Sequence, residues 1–319
     1  MMCPYLCFRT SADTTATPDE RSAEPQLVQE KCKTLVAFAF LLTTVIFNLT
    51  CIAVIHERVP DRATHPPLPD IYFDIFPPVD WALDVSEYII IFCMWTTLGL
   101  MLVHRYRWIV MQRVFFIMAL LYLMRGITMS VTQAPIASTT YFCSPKANST
   151  DLLLIVRRVA KLISGFGLSV NGQHTFCGDY IFSGHTFTLT MAYLVFREYS
   201  PQRLKFLPFV YFVLAAVGVF LVLLSRGHYT VDVVIAYYVT TRVFWIYHTL
   251  ANNVSLKVAS ENNFLSRSWW FPLFTYFEKN VGGVLPREYE WPLPWPRKWQ
   301  PKIPTSSHPS HGEDNQQGP

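Results

Sequence analysis

Three ionisable residues, set in two short motifs, have the types and spacing needed for acid–base or nucleophilic chemistry. They are His185 in CGDYIFSGHT, and His228 with Asp232 in SRGHYTVD. His228 and Asp232 stand four apart, so on a helix they share one face, one turn from each other. A carboxylate so placed can hold one imidazole nitrogen and leave the other free as base or nucleophile. Ser183 and Gly184, just before His185, add a hydroxyl and an unhindered backbone amide that could bind a phosphoryl oxygen near a helix start. Capping of that helix by the serine is the plainer reading, and the two are compatible. A lone histidine is more often an interfacial residue bonded to a carbonyl, but a set with a partner carboxylate at membrane ends reads as functional.

The elements that must position these residues are apolar. Charged residues make up 15% of the 319, against about 25% in a typical soluble domain, and aromatics also reach 15%. Mean hydropathy is +0.25. A net charge of +4, scattered along the chain, argues against a nucleic-acid partner, which needs a concentrated basic face. Six stretches are long and apolar: Thr34 to Ile55, Tyr88 to Val103, Val110 to Val131, Tyr180 to Phe196, Phe206 to Ser225, and Tyr229 to Leu250. The first reads as a retained signal anchor. Arg105, Arg107 and Arg113 crowd one link, and Arg197, Arg203 and Lys205 crowd another, so the positive-inside rule makes both cytosolic. Both termini are then cytosolic, and spans four and six begin on the same outer face, where His185 and His228 can meet.

This predicts an all-α integral membrane protein of six transmembrane helices with both termini cytosolic. A cytosolic segment (1–33) precedes a six-span catalytic domain (34–250), and a cytosolic tail follows (251–319). The long outer segment, Thr132 to Asp179, contains DLLLIVRRVAKLISGF (Asp151 to Phe166), which reads as an outer amphipathic helix. The proline-dense run Pro66 to Asp70, PPLPD, predicts a stiff extended loop. From Trp291 the tail reads as disordered or draped on the membrane surface.

Other chemistry lacks support. The seven cysteines show no CxxC pair and no spacing suited to zinc, and neither a Walker loop nor GxGxxG occurs, so neither a metal nor a cofactor is expected. Cys143 and Cys177 share one outer segment and could form a disulfide, with two buried free thiols as the alternative. Cys3 and Cys7 carry a weak palmitoylation signal. Arg125, inside the third stretch, could pair with an acid or reach a substrate phosphate. Arg242 and His248, near the end of the sixth, read as snorkelling side chains.

SGH followed some forty residues later by HxxxD resembles the lipid phosphate phosphatase superfamily. The longer strings CGDYIFSGHT, HYTVDVVIAYYVTTR, PPLPD, YLMRGITM and FLSRSWWFPLFTYFEKNV resemble the sphingomyelin synthase family within it. The resemblance runs from Val54 to Trp295. It implies six spans with cytosolic termini and an active site of His185, His228 and Asp232; Ser183, Gly184, Arg125 and Arg226 stand beside it as candidate substrate-binding residues read from their own chemistry and position. It also implies transfer of a phospho-head group from phosphatidylcholine or phosphatidylethanolamine to ceramide, releasing diacylglycerol through a phospho-histidine on His228. The partners implied are these lipids and the surrounding membrane, in the Golgi or plasma membrane with the site lumenal or extracellular, and a homo-oligomer is compatible with this reading.

Two departures bear on that expectation. The wider superfamily's KxxxxxxRP string is absent, and Arg226 lies only two residues before His228. A phosphodiester carries one charge and needs fewer cations than a phosphomonoester, which favours head-group transfer over phosphatase action. Arg226-Gly227-His228 also replaces the His-Glu-His or His-Asp-His of several synthases, which leaves choline and ethanolamine both open. The rival enzyme reading is a phospholipase C or lipid phosphatase in which water replaces ceramide. The rival outside catalysis is a transporter or membrane scaffold, although its charges would belong at mid-membrane rather than at one end.

Topology gives the first testable outcome. The sequon Asn148-Ser149-Thr150 is expected to be lumenal and glycosylated, whereas Asn253-Val254-Ser255 is expected on the cytosolic side. A glycosidase-sensitive mobility shift should therefore be lost in Asn148→Gln and kept in Asn253→Gln, and the reverse pattern would invert the topology.

Overall fold

The computed structural model describes residues 27–138, 140, 142–147, 151–164 and 176–290. The tail from Trp291, the sequon at Asn148, and Cys3 and Cys7 lie outside the described residues. Within them the chain is helical: α1 (Lys31–Arg58), α2 (Ile71–Ile75), α3 (Trp81–Val103), α4 (Arg107–Val131), α5 (Leu152–Ser164), α6 (Gly184–Tyr199), α7 (Leu207–Leu224), α8 (Thr230–Asn252) and α9 (Phe271–Glu278). Only isolated bridges, Leu27 with Val281 and His104 with Tyr289, represent β-structure among the described residues.

Helices α1, α3, α4 and α7 are long and apolar enough to cross a membrane. Helix α6 has 16 residues, and α8 carries Asp232, Arg242 and His248 along its length. Large apolar side chains such as Trp95, Phe209 and Phe212 point outward, as expected where the surrounding solvent is lipid. Helix α3 begins at Trp81, seven residues before the apolar stretch at Tyr88, because Asp84 and Glu87 lie within it. Glu87 is buried, so its charge turns into the protein rather than ending the helix.

Helix α1 packs along α4, α6 lies between α3, α7 and α8, and α4 closes the centre. The α6–α7 approach depends on Gly218, where a Cβ would come within 2.6 Å of Leu189 Cδ1. There the Ser86 hydroxyl of α3 donates to the Gly218 carbonyl at 3.1 Å, the small-residue packing typical of helices in lipid. Phe187 of α6, Phe116 and Leu120 of α4, Tyr247 of α8 and Phe274 and Phe277 of α9 fill the core.

Two sequence expectations are corrected at the end where α4 begins and α8 finishes. Arg113 was read as a cationic link residue, but it is buried inside α4. Its guanidinium grips Glu278 of α9 in a bidentate pair, with both N–H···O contacts at 2.8 Å. Helix α9 folds back into the bundle and supplies the acid that a reading of α4 alone cannot foresee. Tyr247 Oη donates to the same carboxylate at 2.9 Å. Burial by itself would push the Glu278 carboxyl up, but the Arg113 guanidinium, with help from Lys257 and the Tyr247 hydroxyl, holds it below the usual range. His248 does not snorkel either. It is buried, with Nε2 2.8 Å from Tyr199 Oη and Nδ1 2.8 Å from the Phe244 carbonyl. Arg242, by contrast, lies over the rings of Tyr238 and Trp245.

The segment between α4 and α6 is tied to α1. Cys143 and Cys177 are disulfide-bonded with Cα atoms 5.7 Å apart. His56 of α1 receives the Cys177 N–H at Nδ1 and faces the Ser144 carbonyl through Nε2, each at 3.0 Å. The amphipathic α5 forms as expected, and its Arg158 turns inward to Glu57 at 2.5 Å. Leu152, Leu153, Val156 and Ile163 remain exposed on it.

Removing one partner of a buried ion pair strands the other charge. Glu278→Ala is therefore expected to destabilise the protein by about 3–5 kcal/mol and to lower its thermal unfolding midpoint in detergent. Arg113→Met combined with Glu278→Leu should recover most of the loss, and a double variant no more stable than Glu278→Ala would contradict the pairing.

Candidate active site

One carboxylate organises the site. Asp232 is the third residue of α8, and its Oδ2 accepts the Tyr229 N–H at 2.9 Å, closing the first turn of the helix. Its Oδ1 accepts the Ile181 N–H at 2.8 Å, and its own carbonyl accepts the Ser183 N–H at 3.3 Å. Ile181 has φ of 74°, a conformation costly for a β-branched residue. The bond from Asp232 holds that turn, and the turn delivers Ser183 to the start of α6. The two motifs are thus stitched together through the acid of the second.

His228 stands just before α8 with Nδ1 3.4 Å from Asp232 Oδ2. That contact directs Nε2 away from the carboxylate. His185 is the second residue of α6, and its ring centroid is 5.6 Å from that of His228. The other flank of His185 meets α3, where Glu87 Oε1 lies 3.6 Å from His185 Nε2. Each histidine therefore has its own buried carboxylate. Sequence reasoning missed Glu87, and the available signal was an acid immediately before an apolar stretch. Such catalytic contacts are commonly loose and shorten as a substrate complex forms.

The remaining predicted residues fall into distinct positions. The Ser183 hydroxyl accepts from the Thr186 N–H at 3.2 Å and from the Thr186 hydroxyl at 3.1 Å, so it caps α6. A Cβ on Gly184 would come within 3.1 Å of the Arg125 guanidinium, which packs against its backbone. Arg125 donates from Nε to the Phe182 carbonyl at 3.1 Å, and also to Asn48 and Asp179. Its nitrogens thus hold the CGDYIFSGH turn at two points and tie it to α1 through Asn48. Arg226, with φ of 54°, turns toward α2, where Nη2 donates to the Phe73 carbonyl at 3.0 Å. Among the described residues no His, Cys, Asp and Glu group is arranged to hold a metal ion.

The segment that carries both histidines, residues 176–249, matches the family described as PAP2 superfamily C-terminal. Phosphatidylcholine:ceramide cholinephosphotransferase 2 from mouse is 49% identical over 266 residues, covering 83% of this chain and 72% of that protein. The chain belongs to the phosphatidylcholine:ceramide cholinephosphotransferase family. The human form of the same relative is 48% identical over 266 residues, with the same coverage. Phosphatidylcholine:ceramide cholinephosphotransferase 1 from rat is 49% identical over 279 residues, and there the chain spans 65% of the relative's length. For a cholinephosphotransferase-family fold the site has a plain logic: two imidazoles face each other, each backed by a carboxylate from a different helix.

Gly184 leads to a prediction of its own. Gly184→Ala drives a methyl into the Arg125 guanidinium, and overpacking of this kind costs about 1–3 kcal/mol. The thermal midpoint should fall accordingly, and an unchanged midpoint would show that Arg125 yields freely.

Proposed function

We propose that this chain transfers the phosphocholine head group of phosphatidylcholine to ceramide, giving sphingomyelin and diacylglycerol. The observation that carries this reading is the facing pair His185 and His228, backed by Glu87 and Asp232, in a chain about half identical to two kinds of phosphatidylcholine:ceramide cholinephosphotransferase. Phosphatidylethanolamine is the alternative donor, and the replacement of an acidic neighbour by Arg226-Gly227 is the feature that keeps it open.

In the first step His228 Nε2 attacks phosphorus and the bond from phosphorus to the diacylglycerol oxygen breaks. His185 gives that oxygen its proton, so diacylglycerol leaves neutral. In the second step the primary hydroxyl of ceramide gives its proton to His185 while its oxygen attacks phosphorus, and the phosphorus–nitrogen bond breaks to restore His228. Asp232 stabilises the charge that builds on His228, and Glu87 does the same for the imidazolium of His185. A buried site at the headgroup boundary keeps water from replacing ceramide between the steps, which separates transfer from hydrolysis.

Helices α6 and α8 join the four apolar helices as spans four and six in this reading, which puts both termini in the cytosol and the histidines on the lumenal or extracellular face. The Cys143–Cys177 disulfide supports an oxidising compartment on that side, and Golgi and plasma membrane both satisfy it.

The test is to incubate purified protein with labelled ceramide and each donor lipid separately, and to follow acid-labile labelling of the enzyme by head-group-labelled donor without ceramide. Sphingomyelin is the expected product. His228→Ala should abolish both labelling and transfer, while Asp232→Asn and His185→Ala should each slow transfer about 100-fold or more. Labelling of His228→Ala at the wild-type level would overturn His228 as nucleophile.

A further inference from the structure

The proline-dense run and α2 do not belong to the reacting groups, yet they contact the residues on both sides of His228. Asp70 caps α2 by accepting the Tyr72 N–H at 2.9 Å. The same carboxylate reaches across to the start of α8, where Oδ2 accepts the Thr230 N–H at 2.8 Å and Oδ1 the Thr230 hydroxyl at 2.6 Å. Leu68 N–H donates to Tyr229 Oη at 3.0 Å, and that hydroxyl in turn donates to the Pro135 carbonyl at 3.0 Å. On the other side of His228, Arg226 donates to the Phe73 carbonyl and lies 4.9 Å from the centre of the Phe73 ring. Residues 226, 229 and 230 are therefore all held by the segment 68–73, which makes no contact of these kinds with His228 itself.

The holder is itself anchored. The Tyr72 ring packs against Phe220 of α7 with centroids 5.9 Å apart, and the Val79 N–H donates to the Leu224 carbonyl at 3.0 Å. Prolines at 66, 67 and 69 stiffen the approach, so the chain loses little freedom in adopting it. Burial opposes ionisation of Asp70, but the bonds from Thr230 and Tyr72 outweigh it and hold the carboxyl below its ordinary range, which keeps the clamp charged.

We propose that Leu68–Phe73 is a clamp that fixes the catalytic loop on both flanks of His228, with Asp70 as the positioning residue that pins Thr230. Asp232 orients the imidazole, whereas Asp70 sets where the backbone carrying it stands. The inference rests on the transferase reading only for its turnover readout, so the experiment also uses one that does not depend on catalysis.

The full chain in detergent is treated with diethyl pyrocarbonate, and carbethoxylation of His228 is followed by mass spectrometry, with exposed His65 and buried His104 as references. In Asp70→Ala the His228 rate is expected to rise about fivefold or more as the loop opens locally, with His65 and His104 unchanged. The transfer kcat should fall roughly 10-fold or more with KM for both lipids within about twofold, the split expected when reacting groups are misplaced rather than binding lost. Thr230→Val, which removes only the hydroxyl contact, should show the same pattern more weakly. Wild-type labelling of His228 in both variants overturns the clamp. Raised labelling with unchanged kcat upholds the clamp and instead overturns His228 as the reacting group. If Asp70→Ala exposes His104 as well, Thr230→Val decides alone: selective labelling of His228 upholds the clamp, and wild-type labelling overturns it.

Discussion

The structure depends most on the carboxylate of Asp232. A helix that starts at a cluster of ionisable side chains leaves unpaired N–H groups and a positive dipole end facing them. Asp232 answers both and ties in the strained turn at Ile181 through its second oxygen. Because that turn runs directly into Ser183 and α6, Asp232 ties the segment before His185 to the residues that follow His228. The distance between the imidazoles is therefore a local property, set by a few bonds rather than by the packing of long helices.

The two ends of the bundle use buried charge differently. At the start of α4, Arg113 and Glu278 satisfy each other fully, with Tyr247 completing the carboxylate's shell. At the histidine end the carboxylates sit 3.4 and 3.6 Å from their imidazoles. Satisfied networks rigidify, whereas looser contacts leave room for charge to form and disappear. Arg125, held by Asn48, Asp179 and Phe182, follows the first pattern although it lies beside the second site.

Much of this was legible in the sequence. The six apolar stretches correspond to six of the observed helices, and His228 does lie beside Asp232, although it stands before α8 and shares no helical face with that residue. What escaped depended on neighbours that only folding supplies. Glu87 looked like the end of an apolar run because its partner, His185, is 98 residues away. Arg113 looked like a loop cation because Glu278 lies beyond the last apolar stretch, and His248 looked like a snorkelling side chain because Tyr199 comes from another helix. PPLPD read correctly as stiff, but stiffness along a chain does not reveal what the chain leans on.

The Arg113–Glu278 pair also constrains the order of biosynthesis. The cation is translated 165 residues before the acid that neutralises it. At about 5–20 residues per second the delay is on the order of ten to thirty seconds. For that interval the Arg113 guanidinium, one and a half turns into α4, lacks the carboxylate that it grips in the finished bundle. This contact can form only once α9 has been made, so the pair closes late and from the C-terminal side of the bundle.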